Sequence, residues 1–201
     1  MEITTEMVRE LREATGAGMM DCKRALEEAG GDMARATELL RARGLADAAK
    51  RADRVAAEGL VEAYIHMRGS LGVLVELNCE TDFVANTDDF RSLARDVAMQ
   101  IAAIAPRWIA REEVPGDVVD GERKVYEEQA RQEGKPDDVI PRIVEGKLEA
   151  FYGDHVLLDQ PWVRDDSVTI GELISQASAK LGEKIEVGRF ARFKVGEAAR
   201  S

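Results

Sequence analysis

The stretch GLVEAYIHMRGSLGVLVELNCETDFVAN, Gly59–Asn86, decides the fold. Apolar and polar residues alternate on both sides of a turn at Arg68–Gly72, the period-2 pattern of a β-hairpin. On the first arm the odd positions Val61, Ala63, Ile65 and Met67 face one side. On the second arm Val73, Val75, Leu77 and Cys79 do the same. Cys79 therefore reads as a small buried hydrophobe, and Cys22, inside a helical pattern, reads the same way. The hairpin runs into Thr81-Asp82-Phe83-Val84, where the chain should turn into water. A core would hide Phe83, and a simple turn would use Gly, Asn or Ser. The strand braces this segment up to Cys79, and a helix start at Thr87 braces it again. Two readings stay open. Either the ring is presented, pre-organised, to a partner's crevice, or it folds back under the hairpin against Phe90.

Working outward, Thr87 with Asp88 and Asp89 opens a helix in which Phe90, Leu93, Val97, Ile101 and Ile104 recur at helical spacing up to Pro106. Two more helices are expected at about 116–133 and 136–152, the second with Pro136 at its first position. LLDQPWV, Leu157–Val163, reads as extended; a helix follows near Thr169–Leu181 and a last strand over Ile185–Val195. Towards the N-terminus, Thr4 or Thr5 caps a first helix, Thr15–Gly18 (TGAG) breaks it, and a second runs from about Met20 to Gly30. Asp32 caps a third helix, with Gly44 as its stop. The expected architecture is α+β. A three-helix bundle over residues 1–54 passes through a connector at about 46–57 into a single core, 55–201. That core holds a small antiparallel, roughly three-stranded sheet packed against several helices.

The bulk composition removes several function classes. A formal net charge of -11 argues against the basic footprint that neutralises nucleic-acid phosphates. Residues 1–54 are nearly neutral, with 10 Lys/Arg against 11 Asp/Glu, so the acidity lies in the rest, 18 against 28. MEITTEMVRE is no signal peptide, and the apolar run at Val97–Ala105 is too short to span a bilayer. The chain reads as cytoplasmic and soluble, with two reduced cysteines. Neither histidine has cysteine or carboxylate neighbours at metal-ligand spacing, and no P-loop, G-x-S-x-G or dinucleotide fingerprint occurs. No catalytic constellation or cofactor motif is visible, which favours a protein that acts by contact.

Two motifs carry a resemblance. ELNCETDFVAN, Glu76–Asn86, and LREATGAGMMDCKRAL, Leu11–Leu26, closely resemble the signatures of bacterial elongation factor Ts. GKPDDVIPRIVEGKLEAFY, Gly134–Tyr152, and LLDQPWV resemble later segments of the same family. The resemblance implies a non-enzymatic guanine-nucleotide exchange factor without a cofactor, whose partner is elongation factor Tu. In that family the Thr-Asp-Phe-Val segment intrudes near the partner's magnesium site. By resemblance Phe83 would be the wedge, Asp82 its acidic neighbour, and Thr81 and Val84 the residues that shape the loop. The bundle would be ubiquitin-associated-like and dock on the partner, with Met19 and Met20, on the loop after TGAG, as its contact. Typical members carry two related core subdomains, whereas this chain has one. It therefore resembles the short form, in which a homodimer supplies the second core. The rival expectation is an adaptor that binds through its bundle, with Asp82 and Phe83 dispensable.

Overall fold

A computed structural model describes residues 3–197, so 198–201 at the end of the expected core lie outside the described residues. The chain forms two compact units. One comprises Met1–Glu62, Glu76–Arg95 and Glu172–Gly188; the other comprises Ala63–Val75, Asp96–Gly171 and Arg189–Ser201. The first unit opens with α1 (Thr5–Thr15), α2 (Met19–Glu28) and α3 (Met33–Lys50). Thr4 accepts a hydrogen bond from the Met7 N–H at 3.2 Å, and Asp32 accepts one from the Arg35 N–H at 3.1 Å. Each satisfies a donor that a helix start leaves free. Gly16 ends α1 in the left-handed conformation, φ 68°. Val8, Leu11, Cys22, Ala25, Leu26 and Ala36 form the buried centre of the bundle. Burial of Leu11 and Leu26 contributes about 2 kcal/mol each.

Gly44 does not stop α3. It is buried, and a Cβ at that position would lie 3.6 Å from the Ala179 Cβ. The glycine therefore sits at a close approach, and the helix continues through an Ala-rich turn of high propensity to Lys50. The connector is helical up to that point and turns over residues 51–54.

The sheet is three-stranded and antiparallel, with β2 (Leu71–Cys79) between β1 (Glu58–His66) and β5 (Glu186–Lys194). Val73, Val75, Leu77 and Cys79 are buried, as the alternation predicts. The first arm differs from its expected facing. Val61 and Ile65 are 63% and 66% exposed, because the odd positions of the two arms do not share a face. The connection over 67–70 sets Ile65 beside Gly72, whose Cβ would lie 3.1 Å from Ile65 Cδ1. Odd positions on β1 thus face with even positions on β2. Met67 and Arg68 both take positive φ in that connection, at 44° and 56°.

Between β2 and β5 come α4 (Asp82–Ala85), α5 (Asp88–Ile104), α6 (Gly116–Gln132) and α7 (Ile140–His155). The short strands β3 (Pro161–Trp162) and β4 (Asp165–Thr169) then pair as a second sheet, and α8 (Ile170–Leu181) follows. Helices α6 and α7 pack through Ala130, Ile140, Val144 and Leu148. Helix α7 starts later than Pro136. Residues 136–139 form their own turn, closed by the Val139 N–H donating to the Pro136 carbonyl at 3.0 Å, and Pro141 occupies the first turn of the helix. LLDQPWV is not fully extended either: Leu157–Asp159 is a 3-10 turn. The segment after that turn is held by a buried amide pair. Gln100 donates to Gln160 Oε1 and to the Pro161 carbonyl, both at 3.1 Å, and accepts from the Val163 N–H at 3.0 Å. Such buried amides are tolerated because their groups are paired. Among the described residues, no helix is long and apolar enough to cross a membrane.

Candidate functional site

Strand β2 ends with buried Cys79, and the backbone is still extended at Thr81, with φ -133° and ψ 153°, before it winds into α4. Thr81 is the N-cap of α4, its hydroxyl oxygen accepting from the Val84 N–H at 3.4 Å. The expected loop is therefore a single helical turn. Its carbonyls are not left free: the Asn86 side-chain amide donates to the Asp82 carbonyl at 2.8 Å, and the Thr87 hydroxyl donates to the Val84 carbonyl at 2.8 Å. The same Thr87 oxygen accepts from the Phe90 N–H at 3.2 Å, so the end of α4 and the start of α5 share one side chain. Only Ala85 of this turn is buried.

The two readings of Phe83 separate clearly on burial. Phe90 is fully buried, whereas Phe83 is 81% exposed and does not fold back beneath the hairpin. A benzyl side chain left in water on a doubly braced turn forgoes roughly 2 kcal/mol of burial. Asp82 is exposed, and Thr81 and Val84 are half-buried. Beside Asp82 opens a cleft of about 510 Å³ lined by Gly59, Glu62, Asn86, Asp88, Arg91 and Arg95, among others. Its charges are partly matched internally, Arg91 donating to Asn86 at 3.2 Å and Arg95 lying 3.7 Å from Glu62.

Below the turn, the carboxylate of Glu183 accepts from the Glu80 and Thr81 N–H groups, both at 3.0 Å, and from the Thr81 hydroxyl at 2.6 Å. Glu80 in turn accepts from the Lys184 N–H at 2.6 Å and from Arg54 at 3.2 Å. The Lys184 N–H, and secondarily Arg54, hold the Glu80 carboxyl below the usual carboxylate range. Burial pushes the Cys79 thiol up, and the nearby charge of Glu183 adds to the effect. Sequence reasoning missed Glu183 altogether, because its partners lie 102 and 103 positions away and no local pattern marks it.

Met19 and Met20 are not on a loop but are the first two residues of α2, after a Gly18 N-cap without a side-chain bond. They are 45% and 64% exposed and lie outside the buried centre of the bundle. Met67, read with the odd positions of the first arm, is exposed too, and other exposed apolar side chains went unread in the sequence: Val55, Leu74, Phe193 and Val195. Among the described residues, no three His, Cys, Asp or Glu side chains are grouped to hold a metal ion.

The family model described as "Elongation factor TS" matches residues 36–197. The elongation factor Ts of Fervidobacterium nodosum is 58% identical over 197 residues, covering 98% of this chain and 100% of that protein. That of Carboxydothermus hydrogenoformans is 57% identical over 195 residues, covering 97% and 90%. That of Anaeromyxobacter sp. strain Fw109-5 is 57% identical over 196 residues, covering 98% and 90%.

Proposed function

Because the chain belongs to the elongation factor Ts family of translation elongation factors, we propose that it is a guanine-nucleotide exchange factor acting on elongation factor Tu. The observation that carries this reading is the 81% exposure of Phe83 on a turn braced from both sides. The partner holds GDP through phosphate contacts and a magnesium ion. The Thr81–Val84 turn enters beside that ion, Phe83 wedges between side chains of the nucleotide domain, and Asp82 brings a negative charge close to the phosphates. Stabilising a partner state without magnesium weakens GDP by the same coupling free energy, and nucleotide binding weakens the factor in return. GTP then displaces the factor. No bond is made or broken, so the chain is not an enzyme.

Two further contacts complete the reading. Residues 1–54 act as a ubiquitin-associated-like docking domain, and the core, 55–201, carries the exchange turn. Met19 and Met20 offer flexible, exposed thioethers at the start of α2, suited to an adaptable apolar contact. A second copy of the chain supplies the missing core. Ile65, Leu74 and Phe193 expose large apolar side chains on the three strands of the sheet, and a like surface on a second copy would cover them. The site of action is the cytoplasm, without direct nucleic-acid or membrane contact.

Release of fluorescent GDP from elongation factor Tu, followed by stopped flow with and without the full chain, tests the reading. Acceleration that saturates with added chain is expected. Binding without any acceleration would instead support an adaptor that docks through its bundle and overturn the exchange function.

A further inference from the structure

The base of the exchange turn is held by two carboxylates exchanged between distant segments. Glu183 takes three donors from Glu80 and Thr81, and Glu80 takes the Lys184 N–H together with Arg54. Glu183 is itself well anchored. It follows Gly182, which closes α8 in the left-handed conformation at φ 77°, and its carbonyl accepts from the Ser178 hydroxyl. Ile185, two residues on, is buried.

Helix α4 cannot fix its own direction. It has four residues, and its backbone bonds are few: Ala85 N–H to the Thr81 carbonyl at 3.2 Å, Asn86 N–H to the Asp82 carbonyl at 3.1 Å and Thr87 N–H to the Val84 carbonyl at 3.0 Å. One turn lies far below the length at which a helix is stable alone. Phe83 is too exposed for packing to aim its ring. The direction in which the ring leaves the surface is therefore inherited from the anchors at its two ends, Thr87 after the turn and Thr81 before it, and the Thr81 hydroxyl both donates to Glu183 and caps Val84.

We propose that Glu183 is a positioning residue for exchange: by gripping Thr81 and the backbone N–H groups beside it, it sets the angle at which Phe83 enters the partner. This rests on Phe83 being the wedge. The grip adds no contact to the partner, so it acts on the rate of release at saturation rather than on the affinity of docking.

The test is a double-mutant cycle read by stopped-flow release of fluorescent GDP from elongation factor Tu, using the parent, Glu183→Gln, Phe83→Ala and the double variant. Glutamine keeps the size but offers one acceptor oxygen to three donors, leaving at least one unpaired. In the parent background, Glu183→Gln is expected to lower the saturating release rate about tenfold. The concentration giving half-maximal effect should move less than about threefold, since docking contacts are untouched. In the Phe83→Ala background the same change should add less than about twofold, the non-additivity of groups that act as one unit. An equal loss in both backgrounds overturns the proposal, because Glu183 would then act independently of the ring. So does an unchanged rate for Glu183→Gln while Phe83→Ala is impaired, a result that leaves the wedge reading standing. If Phe83→Ala alone releases GDP as fast as the parent, the wedge reading itself fails and the proposal with it. Should Glu183→Gln not fold by circular dichroism, Thr81→Val replaces it. That variant removes the hydroxyl's bond to Glu183 together with its cap on the Val84 N–H, the two links through which Thr81 aims the turn, and the same pattern is expected of it.

Discussion

At the scale of single residues, the informative side chains are those whose exposure contradicts their chemistry. Phe83 was legible as an anomaly, since an aromatic ring at the end of an apolar strand has no local turn role. Its exposure was not legible, because folding back against Phe90 satisfied the same letters. Glu183 was invisible for a different reason: a lone glutamate after a helix looks like any solvated acid until distant backbone donors converge on it. The two cysteines were readable as buried thiols from their place in apolar patterns, and both are buried. Burial is the main force pushing each thiol up, at Cys22 as at Cys79. A group raised on folding contributes its stability in full below its ordinary range and loses it as pH climbs through the folded value. The thiols' contribution should therefore fade on the alkaline side of about pH 8.5, not on the acid side. Reaction with a disulfide thiol reagent at pH 8 should be at least about 100-fold slower for the folded chain than in denaturant. Rapid labelling of the native chain would contradict the burial of both.

At the scale of elements, most helices were readable from caps and periodicity, and the errors share one cause. Gly44 looks like a helix stop because the rule is local, but contact with Ala179 makes it a small residue inside a helix. Pro136 looks like a helix start, yet the turn it heads closes separately before Ile140. The hairpin was found but its facing was misassigned, because alternation gives each arm's two faces without saying how they pair across the connection. Gly59 shows how tightly that pairing is set. A Cβ there would lie 2.2 Å from the Leu77 carbonyl oxygen and 2.8 Å from the Asn78 Cα, at φ 151°. Gly59→Ala should therefore destabilise the chain by roughly 2–4 kcal/mol, since backbone atoms cannot yield as a flexible side chain can. Thermal or urea unfolding measures it, and a loss under about 0.5 kcal/mol, the range of an ordinary surface change, would contradict this pairing.

At the scale of the whole molecule, the α+β class and the family were readable, the latter from two long motifs in the right order. Assembly was not, because an exposed valine or phenylalanine in a strand gives no sign in sequence of which face stays open. With Ile65, Leu74 and Phe193 exposed, the proposed second copy leads to a direct expectation. Sedimentation should show two copies for the parent at about 10 μM, and Phe193→Asp should shift it towards one, a charge at an apolar interface being strongly unfavourable. A parent that sediments as one copy removes the dimer from the account without touching the exchange turn. The exposed ring on a braced turn is proposed to do its work on another protein. The most direct test compares GDP release from elongation factor Tu driven by saturating parent and by saturating Phe83→Ala. The Phe83→Ala variant is expected to fold and dock but to release GDP at least about tenfold more slowly, a barrier to release higher by roughly 1.4 kcal/mol. Equal rates from the two proteins would contradict it.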